Sequence, residues 1–221
     1  MTKSATPKIV GVIFSRGDFE RALRMRNPPD LFELRLDAFG AGADAIRSRI
    51  VNLGAGIIIT ARHPREGGAS QLSSRKRCEL LLTFLPPAAW VDIELRSAGA
   101  LAAVFQAARK KSVRTIVSFH DFRGTPSARR LDELARQAES LGPDIIKIAT
   151  RTDTPAQLDR LLEFFERQRP RGRVVAMGIG KLGRQSRLEL ARRGCALNYA
   201  HLGAPGIAGQ LSIPELRRAL R

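Results

Sequence analysis

The sequence contains few cysteines, few aromatic residues and no long apolar run. Its two cysteines, Cys78 and Cys195, lie far apart and match no metal-ligand or redox spacing. A reduced, cytoplasmic protein is therefore expected rather than a secreted domain that depends on disulfides. No apolar run approaches the ~20 residues of a membrane span, and the first residues lack the pattern of a signal peptide. We therefore expect no membrane partner.

Acidic residues are scarce relative to basic ones. The chain has 21 Asp and Glu residues against 38 Lys and Arg residues, and its sequence isoelectric point is near 11.4. The basic residues are spread along the chain, and aromatic residues, which could stack on bases, make up only 5% of it. We therefore expect no specific nucleic-acid partner. A diffuse positive field would instead attract small anionic substrates.

The chain alternates short apolar runs with segments of helical period. Eight runs rich in β-branched residues are typical of strands, at 8–14, 31–37, 56–62, 90–95, 114–120, 144–150, 173–178 and 196–203. Helical periodicity occurs between them, at 17–26, 72–85, 97–110, 126–140, 155–168 and 184–194. Because no linker or change of composition divides these repeats, we predict one catalytic domain over residues 1–221. Its predicted fold is an α/β single (β/α)8 TIM barrel, with the active site at the C-terminal ends of the strands.

A doubly wound open sheet is the second candidate for the fold. It is disfavoured because no strand is followed by the G-x-G-x-x-G turn of a dinucleotide site. The glycines of "GIGKLG" at 178–183 have a different spacing and no acidic partner about 20 residues further on.

Lys147 lies in the middle of an otherwise apolar strand, where an ammonium group is costly to bury. Side chains alternate between the two faces of a strand, so Lys147 lies opposite Ile146 and Ile148. Four other strands also place polar residues on one face near their carboxyl ends: Glu33, Arg35 and Asp37; Thr60 and Arg62; Asp92 and Glu94; Ser118 and His120. In a barrel this face lines the interior. A structural ion-pair network could account for two or three such residues, but five strands with the same pattern favour an active site.

These residue types suit imine chemistry. An apolar strand and nearby cations such as Arg62 or Arg187 would favour the neutral amine of Lys147, which can attack a carbonyl group. His120 is the natural base to remove a proton from the carbon next to the imine, because imidazole titrates near neutral pH. Glu66 is the best candidate for a carboxylate that orients His120.

Arginines could hold the substrate. The planar guanidinium groups of Arg35, Arg62 and Arg187 can bind a carboxylate or hydroxyl groups. His63 and His201, in contrast, are expected to be ordinary polar residues.

Seven motifs, in order, resemble the type I 3-dehydroquinate dehydratase family over nearly the whole chain. They are "ELRLD" (33–37), "TARHPREGG" (60–68), "VDIEL" (91–95), "SFHDF" (118–122), "IIKIAT" (145–150), "GIGKLGRQSRL" (178–188) and "GQLSI" (209–213). The resemblance implies a homodimeric (β/α)8 barrel that dehydrates 3-dehydroquinate to 3-dehydroshikimate in the shikimate pathway of aromatic amino acid biosynthesis. It implies no metal and no organic cofactor.

The resemblance also implies roles for single residues. Lys147 would form the Schiff base with the C3 ketone, and His120, oriented by Glu66, would take the C2 proton and protonate the departing C1 hydroxyl. Arg187 would bind the substrate carboxylate, and Gln210 would lie on the loop that closes over the site. The residues that would hold the ring hydroxyls and their surroundings are Glu33, Arg35 and Arg62.

The lid segment, residues 203–210, departs from the family pattern. The family usually has a serine or threonine followed by Ala-Pro-Gly-Gln, whereas "GAPGIAGQ" has Gly206 at the hydroxyl position and Ala208 at the proline position. We therefore expect one fewer substrate hydrogen bond, which typically costs about 1 kcal/mol, and a less stiff lid.

Two other functions fit the same pattern. A class I aldolase would share the barrel and the lysine but would cleave a carbon–carbon bond. A basic, non-enzymatic binding protein on the same barrel would show steeply salt-dependent DNA binding.

Overall fold

The computed structural model of the protein describes residues 7–220, except for the side chain of Ala41. Nine strands within this range form one parallel sheet: β1 Lys8–Ile13, β2 Leu31–Arg35, β3 Gly56–Thr60, β4 Trp90–Glu94, β5 Arg114–Asp121, β6 Ile145–Arg151, β7 Val174–Ile179, β8 Leu197–His201 and β9 Leu211–Ser212. The α-helices of the same range are α1 Arg16–Leu23, α2 Leu36–Phe39, α3 Ala43–Arg47, α4 Ser74–Phe84, α5 Ala102–Lys110, α6 Ala128–Glu139, α7 Pro155–Gln168, α8 Gly183–Arg192 and α9 Ile213–Ala219.

The strand order is that of a barrel. Each strand from β1 to β6 pairs with the next along the chain, and β8 pairs with β1. The chain therefore winds in one direction and returns to its first strand, whereas a doubly wound sheet reverses direction at a central strand. The predicted barrel is confirmed, and the second candidate, the doubly wound sheet, is wrong.

Side chains close the seam between β7 and β8. Within the described range no backbone ladder joins these two strands. The Arg187 guanidinium instead donates to the carbonyl oxygen of Gly178 in β7 and to that of Tyr199 in β8, both at 3.2 Å. The Cys195 thiol lies 3.7 Å from the carbonyl oxygen of Ala176. Strand β9 then pairs with the carboxyl end of β8.

The alternation read from the sequence determines which residues face the helices. Ile57 and Ile59 of β3 pack in a buried cluster with Phe84 of α4, outside the barrel. Residue Ile58 faces the interior and lies in a different cluster with Ile116, and this cluster extends to Leu161 of α7. Nearer the carboxyl ends of the strands, the same inward face carries polar residues. These polar residues therefore lie above the apolar residues of the barrel interior.

All six predicted helices are present; α7 has the predicted bounds, 155–168, and the other five are somewhat shorter. Thr154 caps α7 in a capping box with Gln157, and Pro155 occupies the first turn. The cap of α6 is Ser127. Helices α2, α3 and α9 were not predicted, because they contain only 4, 5 and 7 residues and are too short to show a period. None of the helices between residues 7 and 220 has the length and apolarity needed to span a membrane.

Candidate active site

A cavity of about 210 Å³ opens at the carboxyl ends of the strands. This volume suits a small organic molecule better than a single water. All the site residues predicted from the sequence line it: Glu33, Arg35, Arg62, Glu66, His120, Lys147, Arg187 and Gln210. Because they come from separate strands and loops, the barrel alone brings them together.

Lys147 is held at the floor of the cavity by two carboxylates and an aromatic ring. The side chain is 3% exposed, and its Nζ atom lies 3.0 Å from Asp92 Oδ2 and 3.5 Å from Glu33 Oε1. The same nitrogen lies 4.0 Å from the centre of the Tyr199 ring. The sequence predicts cations around this lysine, and the structure adds carboxylates in direct contact with it.

Arg62 connects the polar groups of the barrel interior. Its guanidinium donates to both oxygens of Asp92, at 3.0 and 2.9 Å, to Glu94 at 3.2 Å and to the Ser118 hydroxyl at 2.6 Å. Burial would lower the pKa of Arg62, but Asp92 and Glu94 outweigh it and hold this pKa well above its usual value. Burial likewise raises the pKa of Asp92, yet Arg62 and Lys147 dominate and keep it far below its usual value. Both groups are therefore charged at neutral pH.

Glu66 and His120 form a buried pair. The Nδ1 atom of His120 lies 3.0 Å from Glu66 Oε2, and the backbone N–H of His120 donates to the same oxygen at 3.0 Å. Burial, reinforced by Arg62 and Lys147, lowers the pKa of His120 well below its usual value, so the ring is neutral at neutral pH. With a proton on Nδ1 for Glu66, the neutral ring leaves Nε2 free to act as a base.

Burial raises the pKa of Glu66 to about 7, against the opposing effect of Arg62. Glu94 raises this pKa further, and the His120 backbone N–H and Arg96, whose Nε lies 4.0 Å from Oε1, lower it. The carboxylate therefore changes its charge close to neutral pH.

A short turn, Pro64–Glu66, carries Glu66. The backbone N–H of His63 at its start donates to Glu94 Oε1 at 2.8 Å. Glu94 in turn pairs through Oε2 with Arg77 of α4, which is 1% exposed. Arg77 also donates to the Ala61 carbonyl at 2.7 Å, so α4 fixes the segment that leads to Glu66.

Arg187 differs from the other interior cations in having no carboxylate within 4.0 Å among residues 7–220. It is 7% exposed, its hydrogen bonds go only to backbone carbonyls, and burial lowers its pKa to about 10. A buried guanidinium that lines a cavity without a counterion is well suited to bind an anionic ligand.

Arg35 has a different partner. It donates to both carboxylate oxygens of Asp37, at 3.0 and 2.8 Å, and to the carbonyl of Gly67 at 2.9 Å. Burial raises the pKa of Asp37, but the hydrogen bonds and charge of Arg35 lower it more, so this carboxylate is ionised. Arg35 therefore supports the loop beside Glu66 while it lines the cavity.

The lid segment contributes one wall of the cavity. Gly206, Ile207 and Gln210 line it, and the Gln210 side-chain oxygen accepts from the Gly206 N–H at 3.1 Å. Gly209 has a φ of +85°, and a Cβ on it would lie 2.7 Å from the Cα of Gly183, so only glycine allows this close approach.

Sequence reasoning missed several functional candidates. Tyr199 and His201 line the cavity from β8, and Phe122 lines it from the loop after β5. The signal for Tyr199 was its position on the same strand face as His201. The signal for Arg77 was its spacing of three, four and seven residues from the buried residues Leu80, Leu81 and Phe84.

No group of three or more His, Cys, Asp or Glu residues between positions 7 and 220 could hold a metal ion. The groups present offer a buried amine, a neutral imidazole beside a carboxylate and an uncompensated guanidinium. Such a set can form an imine, move a proton and bind an anion.

Comparison with known proteins identifies the family of the chain. The family model of type I 3-dehydroquinase matches residues 15–221. The 3-dehydroquinate dehydratase of Thermococcus gammatolerans is 35% identical over 216 residues, which cover 96% of this chain and 97% of that protein. That of Methanothermobacter thermautotrophicus is 33% identical over 193 residues, or 86% of this chain and 84% of that protein.

Solved structures show the same similarity. The 3-dehydroquinate dehydratase from Geobacillus kaustophilus aligns with a TM-score of 0.84 at 30% identity, covering 97% of this chain and 90% of that chain. The type I enzyme from Clostridium difficile, solved with covalent modified comenic acid, also gives 0.84, at 25% identity and with 98% and 91% coverage. Since the family model matches almost from end to end and these relatives share the whole barrel, the chain belongs to the type I 3-dehydroquinase family.

Proposed function

We propose that this protein dehydrates 3-dehydroquinate to 3-dehydroshikimate through an imine on Lys147, a step of the shikimate pathway. The observation that carries the proposal is one cavity that holds a buried lysine, a Glu66–His120 pair and an arginine without a counterion. The names of the relatives supply the identity of the substrate.

The first step joins the substrate to the enzyme. The ammonium group of Lys147 gives one proton to His120, and the amine then attacks the C3 ketone to form a carbinolamine. His120 returns that proton to the carbinolamine hydroxyl, which leaves as water and gives a protonated imine. Asp92 and Glu33, which contact the Lys147 nitrogen, stabilise positive charge there. Asp92 does not accept the lysine's proton, because its own pKa is far too low.

The second step removes water from the ring. His120 takes the C2 proton, and the electron pair of the C–H bond moves into the imine to give an enamine. The enamine returns that pair to form the C1–C2 double bond as the C1 hydroxyl departs with a proton from His120. Hydrolysis of the imine by water then releases the product and restores Lys147.

The charged side chains of the cavity would orient the substrate. Its carboxylate would complete the coordination of Arg187, the interior arginine that lacks a counterion, with Gln210 of the lid segment nearby. Glu33, Arg35 and Arg62 would contact the ring hydroxyls and their surroundings from the opposite strands.

The test is an ultraviolet assay for the conjugated enone product with purified protein and 3-dehydroquinate. Lys147→Ala should lose at least ~1,000-fold in kcat, since it removes the group that forms the covalent bond. Lys110→Ala is the matched control, because that lysine is exposed at the end of α5, and it should keep full activity. Full activity in Lys147→Ala would reject the mechanism, and retro-aldol cleavage without dehydration would favour the aldolase.

The other expectations of the resemblance stay predictions. A homodimer would appear in solution as twice the 24.3 kDa chain mass, and a cytoplasmic location would appear on fractionation of cells.

A further inference from the structure

Tyr199 is the single tyrosine of the chain and lies on β8 in the wall of the cavity. It is 4% exposed, and its hydroxyl has no hydrogen-bond partner among the described residues. Buried tyrosine hydroxyls normally find a partner, because burying one without a hydrogen bond is unfavourable. An unpartnered hydroxyl in the wall of an active-site cavity therefore indicates that it gains a hydrogen-bond partner at another stage of the reaction.

The ring of Tyr199 is a direct contact of the reacting group. The Lys147 nitrogen lies 4.0 Å from the ring centre, while Asp92 and Glu33 hold the same nitrogen at 3.0 and 3.5 Å. A cation over an aromatic face is attracted to it, most strongly in a desolvated site. The ring and the two carboxylates together fix where the amine points before it meets a carbonyl group.

The hydroxyl of Tyr199 remains a donor throughout. Burial raises its pKa well above the usual value, and the charges of Glu33 and Asp92 raise it further. Arg62 opposes this effect. The hydroxyl is thus protonated, and it donates a hydrogen bond to none of the described residues.

Imine formation changes the number of donors on the Lys147 nitrogen. An ammonium group carries three N–H donors and serves both Asp92 and Glu33, whereas a protonated imine carries one. At least one of these carboxylates must therefore lose a hydrogen bond when the substrate becomes attached. A buried carboxylate that loses a donor is strongly destabilised unless another donor replaces it.

We propose that Tyr199 is a positioning residue for the imine: its ring holds the Lys147 nitrogen, and its hydroxyl takes over a hydrogen bond to Glu33 or Asp92 that this nitrogen gives up. The inference rests on the proposed function, because it requires an imine at Lys147. The hydroxyl acts in the covalent intermediate and not when the substrate first binds.

The test compares Tyr199→Phe, which removes only the oxygen, with Tyr199→Leu, which removes the ring as well. Tyr199→Phe should lower kcat about 10-fold and leave KM within about twofold, because the lost bond exists only after the imine forms. Tyr199→Leu should in addition slow borohydride trapping of substrate on Lys147 about 10-fold relative to Tyr199→Phe, because the amine is no longer held. Thermal unfolding of each variant establishes that it is folded under the assay conditions.

A control variant removes a hydroxyl elsewhere. Thr115→Val deletes a buried hydroxyl at the amino end of β5, which lines no part of the cavity, and should leave kcat and KM unchanged. A wild-type kcat for Tyr199→Phe, or a loss that appears in KM alone, would overturn the role of the hydroxyl. Wild-type trapping by Tyr199→Leu would overturn the role of the ring.

The failure of this inference differs from the failure of the proposed function. If wild-type protein gives no adduct with 3-dehydroquinate and borohydride, the proposed function fails. If the wild type gives the adduct and both tyrosine variants match it in kcat, KM and trapping rate, only the role of Tyr199 fails.

Discussion

Arg77→Met should destabilise the protein more than any exposed arginine change. The Arg77 side chain is 1% exposed and pairs with Glu94, which is fully buried. It also donates to the Ala61 carbonyl at 2.7 Å and to the Ser97 hydroxyl at 3.1 Å. The change leaves Glu94 with Arg62 at 3.2 Å and the His63 N–H at 2.8 Å, which serve only its Oε1.

Breaking one side of such a buried pair typically costs about 3–5 kcal/mol, and here it leaves the buried Oε2 atom of Glu94 without its charged partner. This is a large part of the ~5–15 kcal/mol by which most proteins are stable. For a chain of this length each kcal/mol shifts Tm by about 2–4 °C, so the expected fall is about 6–20 °C. Equilibrium unfolding in urea, followed by circular dichroism, measures the free energy directly.

Two further variants test whether the buried Arg77–Glu94 pair is the cause of the destabilisation. Arg75→Met on the same helix removes an arginine that is 91% exposed and paired with Glu79, and should not change the urea midpoint measurably. Adding Glu94→Gln to Arg77→Met removes the uncompensated charge and should restore part of the stability. If Arg77→Met unfolds at the same urea concentration as Arg75→Met, the buried pair does not stabilise the site.

Three predictions concern activity. Burial raises the pKa of Glu66 to about 7, so kcat/KM should fall as pH falls through about 7, and Glu66→Gln should lose this dependence. The same raised pKa makes the free energy of unfolding depend on pH in the opposite direction. Its stabilising contribution is present in full below pH 4.5 and is lost as pH rises through about 7. The difference in unfolding free energy between wild type and Glu66→Gln should therefore change over that range. Arg187→Met should raise KM for 3-dehydroquinate about 10- to 100-fold in steady-state assays, with Arg187→Lys intermediate, and an unchanged KM would show that the carboxylate binds elsewhere. Gly206→Ser should lower KM about fivefold by supplying the missing lid hydroxyl; a Cβ there meets nothing closer than the Gln210 oxygen at 3.9 Å, and a higher KM would contradict the assigned position.

Most of the site could be predicted from the alternation of side chains between the two faces of each strand. The side chains of Glu33 and Lys147 face inward because their positions on β2 and β6 have the inward parity. Arg62, two residues after the end of β3, continues the parity of Thr60, and this pattern is visible in the sequence. The barrel followed from eight strand and helix repeats. The parts of the fold that escaped prediction are three short helices, α2, α3 and α9, and the two-residue strand β9, which have too few residues to show a period.

Hydrogen bonds and ion pairs that form only when the barrel closes could not be predicted from the sequence. Arg187 donates to carbonyls of β7 and β8, and those strands meet only when the barrel closes. The carboxylates that hold Lys147 come from β2 and β4, 114 and 55 residues away in the sequence. Parity shows that such residues share an interior, but it does not show which of them touch.

Reduction of the protein with borohydride in the presence of 3-dehydroquinate, followed by peptide mass spectrometry, tests the role of Lys147 most directly. The expected result is a single adduct on the peptide that contains Lys147, absent without substrate and absent from Lys147→Ala. An active protein that carries no adduct at Lys147, or carries it on another lysine, would contradict imine formation at this residue.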